Sequence, residues 1–188
     1  MRIVGGRMRG THLADVGAGD AAAHLRPTSD RVREAIFNLL INGGYDDPIT
    51  DARVLDLFAG TGALGLEAIS RGAARATFVD DGATARGLLR RNVEITRTGG
   101  VTDIWRRDAA KMGPNRAAGY DLVFLDPPYG KGLGERALAS CLEGGWLAPD
   151  ALIVWEEGAA PAPPAAFDML DRRRYGETHI TILKGPSA

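Results

Sequence analysis

The stretch Val54-Leu55-Asp56-Leu57-Phe58-Ala59-Gly60-Thr61-Gly62-Ala63-Leu64-Gly65 decides the fold of this chain. Val54, Leu55, Leu57 and Phe58 read as a short apolar strand beginning at Arg53. Gly60-x-Gly62-x-x-Gly65 then turns the chain into a helix expected over roughly 63–71. Glycines at those positions permit a tight turn and let a ligand approach the backbone closely. Alone, such a turn would serve a dinucleotide with its pyrophosphate on the helix N-terminus, or would be a plain strand-to-helix connection. Asp56 argues otherwise. A carboxylate at the strand end, four residues before the first glycine, faces an anionic pyrophosphate badly. It suits a cationic ligand such as the amino group in the methionine part of S-adenosylmethionine. Asp56, Phe58, Ala59, Gly60, Thr61, Gly62 and Gly65 are therefore the candidate cofactor-binding residues of this turn.

The flanking sequence extends the same grammar. Ala76–Val79 is a second expected strand, followed by a helix from about Ala83 to Thr98. Thr102–Arg107, Tyr120–Leu125 and Ala151–Trp155 are three more strands, with a helix near 134–143 before the last. Strands alternating with helices predict a mostly parallel α/β sheet covered on both faces. Asp168–Tyr175 and Glu177–Lys184 meet at Gly176 with no helix between them, which predicts a terminal antiparallel hairpin. Upstream, Val32, Ile36, Leu39 and Leu40 recur at helical spacing over 30–42. Thr28, Ser29 and Asp30 offer helix-start chemistry, and Asn42-Gly43-Gly44 ends the helix. Residues 1–13 read as a small hairpin through Gly5-Gly6, 14–24 as a loop, and the Pro-rich 159–166 as a surface connection. The expected organisation is an N-terminal hairpin extension over 1–28, in contact with RNA, and an α/β domain over 29–188.

Composition narrows the function. The 188 residues carry 23 Lys plus Arg against 24 Asp plus Glu, a formal net charge of −1, which excludes a globally basic nucleic-acid binder but not a local basic patch. The single Cys141 excludes an intramolecular disulfide framework and a cysteine-based zinc cluster. It lies on an apolar helix face with Leu138 and Leu142 and reads as core. His12, His24 and His179 are scattered, so no metal site is expected. Apolar runs are short, and the N-terminus has no signal-peptide stretch, so a cytoplasmic protein with no membrane role is expected. Arg outnumbers Lys, which fits phosphate recognition and equally fits a GC-rich genome.

Three further strand ends carry polar residues. Asp80 follows Phe78-Val79, about 20 residues beyond the glycine turn, where an acid accepts from ribose hydroxyls of either a dinucleotide or S-adenosylmethionine. Asp81 competes for that role, and a helix cap is the plain alternative. Asp108-Ala109 follows the third strand, where an acid accepts from an adenine amine or caps a helix. Asp126-Pro127-Pro128-Tyr129 follows the fourth strand and is the sharpest motif. Two prolines fix φ and remove backbone donors, so the loop presents carbonyl oxygens rigidly. An Asp side chain and a Pro carbonyl together accept both hydrogens of an exocyclic amine, directing its delocalised lone pair toward an electrophile. Tyr129 offers a stacking face for a base. The alternative is a turn with Tyr129 as packing. Arg2, Arg7 and Arg9, with Arg26, Arg31 and Arg33, outnumber nearby acids and fit a phosphate-contacting flap or a solvated face. Lys131 is a further phosphate candidate, and Arg172-Arg173-Arg174 a weaker one.

Together these residues resemble the RsmD-type bacterial methyltransferases that modify N2 of a guanine in 16S ribosomal RNA. The resemblance covers nearly the whole chain. It is carried by Arg2-Ile3-Val4-Gly5-Gly6, by Leu25 to Asn38 (LRPTSDRVREAIFN), by Leu55 to Gly62, by Asp126 to Tyr129, and by Tyr175-Gly176-Glu177-Thr178. The 26–38 block is the family-specific part, whereas the glycine turn and Asp-Pro-Pro-Tyr occur in many amino-methyltransferases. The resemblance implies a Rossmann-like, seven-stranded methyltransferase sheet with a small N-terminal extension. It implies S-adenosylmethionine held by Asp56, Gly60, Gly62, Asp80 and Asp108, guanine held by Asp126 to Tyr129, and action on an assembling small ribosomal subunit. The sequence departs from the family where Asp80, followed by Asp81-Gly82, stands in place of a frequent Glu.

Three other functions compete. A DNA amino-methyltransferase acting on adenine N6 or cytosine N4 uses the same Asp-Pro-Pro-Tyr chemistry, but this chain has no room for a separate DNA-recognition domain. A NAD-dependent oxidoreductase is opposed by Asp56 and by the lack of a hydride-transfer acid near Asp126. A non-catalytic RNA-binding module is the third. No long apolar stripe is left over, so a monomer is expected.

Overall fold

The computed structural model describes residues 1–16, 25 and 27–188. Its elements are α1 (Asp30–Asn42), β1 (Arg53–Leu57), α2 (Ala63–Ser70), β2 (Arg75–Val79), α3 (Ala83–Thr96), β3 (Thr102–Trp105), β4 (Tyr120–Leu125), α4 (Leu133–Glu143), β5 (Leu147–Glu157), β6 (Asp168–Tyr175) and β7 (Thr178–Lys184). The strands form one seven-stranded sheet in the order β3-β2-β1-β4-β5-β7-β6. The first five are parallel, and β7 pairs antiparallel with both β5 and β6. The chain moves outward from β1 to β3 and then returns to the other side of β1 at β4. That reversal opens a crevice at the carboxyl ends of β1 and β4, the place where open α/β sheets bind ligands.

Side-chain alternation builds a core on each face. On one face Val54, Leu122 and Phe124 pack with Ile36 and Phe37 of α1, Leu66 of α2 and Leu89 of α3. On the other, Leu55, Leu57, Val123 and Leu125 pack with Leu138 and Cys141 of α4 and with Trp146 and Trp155. Cys141 is fully buried, and burial pushes its thiol up to about 12, so it is a core residue as expected.

Several boundaries differ from the sequence reading for local reasons. The third strand stops at Trp105, and the run from 106 to 119 contains no helix. Asp108 closes a turn there instead, its Oδ1 accepting from Ala110 N at 2.9 Å. The long helix ends at Thr96 because Arg97 adopts a left-handed conformation, φ 55°. The fifth strand runs on to Glu157, which carries two acids to its end.

The N-terminal hairpin has one antiparallel bridge, Arg2 to His12. Its Ile3, Met8 and Leu13 are buried in the same core as α1 and α2. The buried Glu67 of α2 fastens it: Val4 N and Gly5 N donate to its two carboxylate oxygens at 3.0 and 2.8 Å. Arg33, grouped above with phosphate-contacting arginines, is fully buried. It donates to the carbonyls of Thr28 and Arg2 and to Asp30, and lies 3.5 Å from Glu67. A guanidinium walled in this way holds the fold and has no face left for a phosphate.

Candidate active site

The glycine turn owes its shape to backbone conformation. Phe58, Gly60 and Gly62 all have positive φ, 56°, 58° and 79°. A side chain at a left-handed position costs about 1–2 kcal/mol, a strain that Phe58 bears at the end of β1. At Gly62 a Cβ would sit 2.2 Å from Leu89 Cδ1. At Gly65 it would sit 2.4 Å from Phe78 Cε1. These two glycines bring α2 onto the sheet, while the nearest atom to a Cβ at Gly60, among the described residues, is Leu25 Cδ2 at 3.7 Å.

Asp56 has two roles. Gly62 caps α2 without a side chain of its own, and Asp56 Oδ2 accepts from Gly65 N at 2.9 Å, supplying the missing cap from β1. The carboxyl also lines the adjoining cavity. Burial pushes it up to about 8; the Gly65 amide pulls it down by less, and the nearby Asp80 charge adds a smaller upward push. A carboxyl in that state is poised to ionise when a cation arrives. Asp80 is held at both oxygens, Oδ2 by Gly60 N at 2.9 Å and Oδ1 by Gly82 N at 2.8 Å. Burial raises Asp80 despite those two donors. Asp81 is exposed and borders the same cavity.

The cavity measures about 490 Å³, within the range of small-molecule sites. Of the expected residues it brings together Asp56, Phe58, Ala59, Gly60, Thr61, Asp80, Lys131 and all of Asp126 to Tyr129. Gly62 and Gly65 support the turn from behind. Asp108, Ala109, Arg2, Arg7, Arg9 and Arg31 are not among the lining residues. Arg7 N donates to Ser70 O at the far end of α2, one helix length or about 12 Å from the glycine turn. Arg2, Arg7, Arg9 and Arg31 are exposed, and Arg26 lies outside the described residues.

Asp126 stands one residue beyond β4. The register that pairs Leu125 with Trp155 sets Asp126 beside Glu156 of β5. Burial and the Glu156 charge raise its carboxyl well above the usual range. Thr28 Oγ1 lies 3.3 Å from Asp126 Oδ2 and 3.0 Å from Glu156 Oε2. Tyr129 OH donates to Glu156 Oε1 at 3.2 Å and also interacts with Thr178, and a Cβ at Gly158 would meet its ring at 2.6 Å. The tyrosine is thus fixed at its hydroxyl and along one side, and it still borders the cavity.

Thr28 and Glu156 are site residues that the sequence reading misses. Thr28 reads as a helix start, but Ser29 is the cap, its Oγ accepting from Val32 N at 3.2 Å. A signal for Glu156 is present in the sequence: an acid at the carboxyl end of a strand parallel to the one that ends at Asp126. The lining is acid-rich, with Asp56, Asp80, Asp81 and Asp126. That set of acceptors suits a cationic ligand and opposes a pyrophosphate.

The chain matches the family model "Conserved hypothetical protein 95" over residues 1–184. It is 38% identical over 188 residues to ribosomal RNA small subunit methyltransferase D of Escherichia coli (strain K12), covering 98% of this chain and 89% of that one. It is 36% identical over 160 residues to the protein of the same name from Haemophilus influenzae, covering 83% and 78%. Among solved structures, Escherichia coli yhhF, itself proposed as a methyltransferase, superposes with a TM-score of 0.80 at 33% identity, over 100% of this chain and 99% of that one. A hypothetical protein of Thermus thermophilus superposes at 0.71 and 30% identity, over 97% and 98%. A match from the N-terminal hairpin to the last strand, on a seven-stranded sheet that ends in the expected antiparallel hairpin, places this chain in the RsmD-type family, the methyltransferase family of ribosomal RNA small subunit methyltransferase D.

Proposed function

We propose that this chain transfers a methyl group from S-adenosylmethionine to the exocyclic N2 of a guanine in 16S ribosomal RNA, acting as a monomer on the assembling small subunit in the cytoplasm. The observation that carries this reading is the position of Asp126. Its carboxyl borders the same cavity as Asp56 and the glycine turn, at the crevice between β1 and β4. An amine acceptor and a cofactor cradle that share one cavity suit a transfer between two bound molecules.

The residues present fit the cofactor. Asp56 would hold its ammonium group, Asp80 its ribose, and the backbone at Ala59 and Gly60 would approach it closely. When bound, S-adenosylmethionine supplies a methyl group already activated by a positively charged sulfur. Asp108 and Ala109, just beyond β3, remain candidates for its adenine end. The protein's own work is alignment. Asp126 and the Pro127 carbonyl accept the two amine hydrogens, which turns the nitrogen lone pair toward the methyl. Pro127 and Pro128 hold that loop rigid, and the Tyr129 ring offers its face to the base. Arg2, Arg7, Arg9 and Arg31, away from the cavity lining, are proposed phosphate contacts together with Arg26, and Lys131 is a proposed phosphate contact at the cavity itself.

Labelled S-adenosylmethionine offered 30S particles or duplex DNA tests the substrate class. Label is expected on the 16S RNA, and label on DNA alone would replace this reading with a DNA amino-methyltransferase.

A further inference from the structure

Thr28 precedes α1, yet its hydroxyl reaches the carboxyl ends of β4 and β5, 3.3 Å from Asp126 Oδ2 and 3.0 Å from Glu156 Oε2. A hydroxyl has one hydrogen and two lone pairs. It can donate to only one of the two carboxylates at a time. Both short distances are satisfied together when one carboxyl group carries a proton and donates it to the hydroxyl, which then donates to the other. Two ionised carboxylates so close would repel each other, Glu156 being buried and Asp126 half-buried at the cavity wall. Glu156 Oε1 accepts from Tyr129 OH, and Glu156 is buried. Among the described residues, the groups facing Asp126 are Asp56 from β1, Glu156 and Glu157 from β5, and Tyr129 from its own loop, while Lys131 borders the same cavity. A proton shared with Glu156 through the Thr28 hydroxyl relieves the repulsion between these neighbouring carboxylates.

We propose that Asp126 and Glu156 hold one proton between them through the Thr28 hydroxyl, and that Glu156 takes this proton when Asp126 accepts a hydrogen of the target amine. The inference rests on the amine methylation proposed above. Asp126 gives its proton to Thr28 Oγ1 while the Thr28 proton passes to Glu156 Oε2, so the hydroxyl ends unchanged. Asp126 is then an ionised acceptor facing the amine. As the N–C bond forms, the electron pair of the broken S–C bond stays on sulfur, and the surplus proton on nitrogen passes to Asp126. Thr28 and Glu156 act through Asp126 and are positioning residues.

Two measurements test the pair. One follows the carboxyl carbons of carbon-13-labelled, ligand-free protein by NMR across pH. The other follows the pH dependence of methyl transfer to 30S particles at saturating cofactor. Glu156→Gln removes a like charge, so the Asp126 midpoint and the acid limb of the rate are expected to move down by about one pH unit or more. Thr28→Val removes a donor to the ionised form, so both are expected to move up. Thr28→Ser keeps the hydroxyl and is expected to behave as the parent. Displacements of opposite sign support the shared proton. Slower variants with an unmoved limb and unmoved midpoint would reduce both residues to packing and overturn the inference. Should the parent methylate no amine at all, the proposed function fails instead, and the NMR arm, which needs no substrate, separates the two failures.

Discussion

The two left-handed glycines of the turn after β1 make a quantitative comparison, because Ala at each meets different surroundings. Gly62→Ala incurs a left-handed cost of about 1–2 kcal/mol. It also drives a methyl to 2.2 Å from Leu89 Cδ1 and 3.3 Å from Phe78 Cε1, both on fully buried side chains. Overpacking of that kind adds about 1–3 kcal/mol. Gly60→Ala incurs the backbone cost without such a clash, since among the described residues its nearest neighbour is Leu25 Cδ2 at 3.7 Å. Thermal unfolding should therefore show Tm falling by roughly 4–20 °C for Gly62→Ala and by roughly 2–8 °C for Gly60→Ala, the first drop being the larger. Calorimetric binding of S-adenosylmethionine should rank them the other way. Gly60 lines the cavity and Gly62 does not, so Gly60→Ala is expected to weaken binding by about tenfold or more, with Gly62→Ala nearer the parent wherever it remains folded. Equal losses of stability would refute the packing argument. Full affinity in Gly60→Ala would refute the placement of the cofactor on this turn.

Asp126→Ala is expected to abolish methyl transfer while S-adenosylmethionine affinity stays within a few-fold; unchanged turnover would remove Asp126 from the reaction. Asp56 links stability to pH. Its folded carboxyl is raised to about 8 from an ordinary 3.8, so the stability carried by its proton is full below about pH 4 and is lost as pH rises through about 8. Urea unfolding of the ligand-free protein should show Asp56→Asn losing that decline, and an identical pH profile in the two proteins would contradict it. For the same reason affinity for the cationic cofactor should rise with pH toward 8 in the parent but not in Asp56→Asn. Arg33→Met strips a buried partner from Glu67 and from the carbonyls of Arg2 and Thr28, and is expected to cost about 3 kcal/mol in urea unfolding; a loss below about 1 kcal/mol would show that the Glu67 carboxylate is held well enough by Arg71, whose Nε lies 3.0 Å from Oε1, and by the Val4 and Gly5 amides.

The sheet is legible in the sequence because its strands are short apolar runs punctuated by glycine and acid, and the helices carry a separate period. The glycine turn and Asp-Pro-Pro-Tyr are legible because backbone conformation and donor loss leave a signature in residue type. What stays hidden depends on which strands lie side by side. Glu156 reads as an ordinary acid until β5 is set beside β4, and Thr28 reads as a cap until the segment before α1 is brought to the strand ends. Arg33 shows the reverse difficulty. Its charge suggests a phosphate contact, but helical position alone does not reveal that the N-terminal hairpin closes over it and that Glu67 waits beneath. The third strand ends at Trp105, short of the expected Arg107, and Asp108 closes a turn just beyond it.

The most direct test is the chemical identity of the product. Purified chain, S-adenosylmethionine and 30S particles lacking the modification would be incubated together, and the RNA digested to nucleosides for mass spectrometry. The expected product is N2-methylguanosine in the 16S RNA, formed by the parent and absent with Asp126→Ala. Methyl groups found on adenine or cytosine, or product formed equally well by Asp126→Ala, would contradict the assignment.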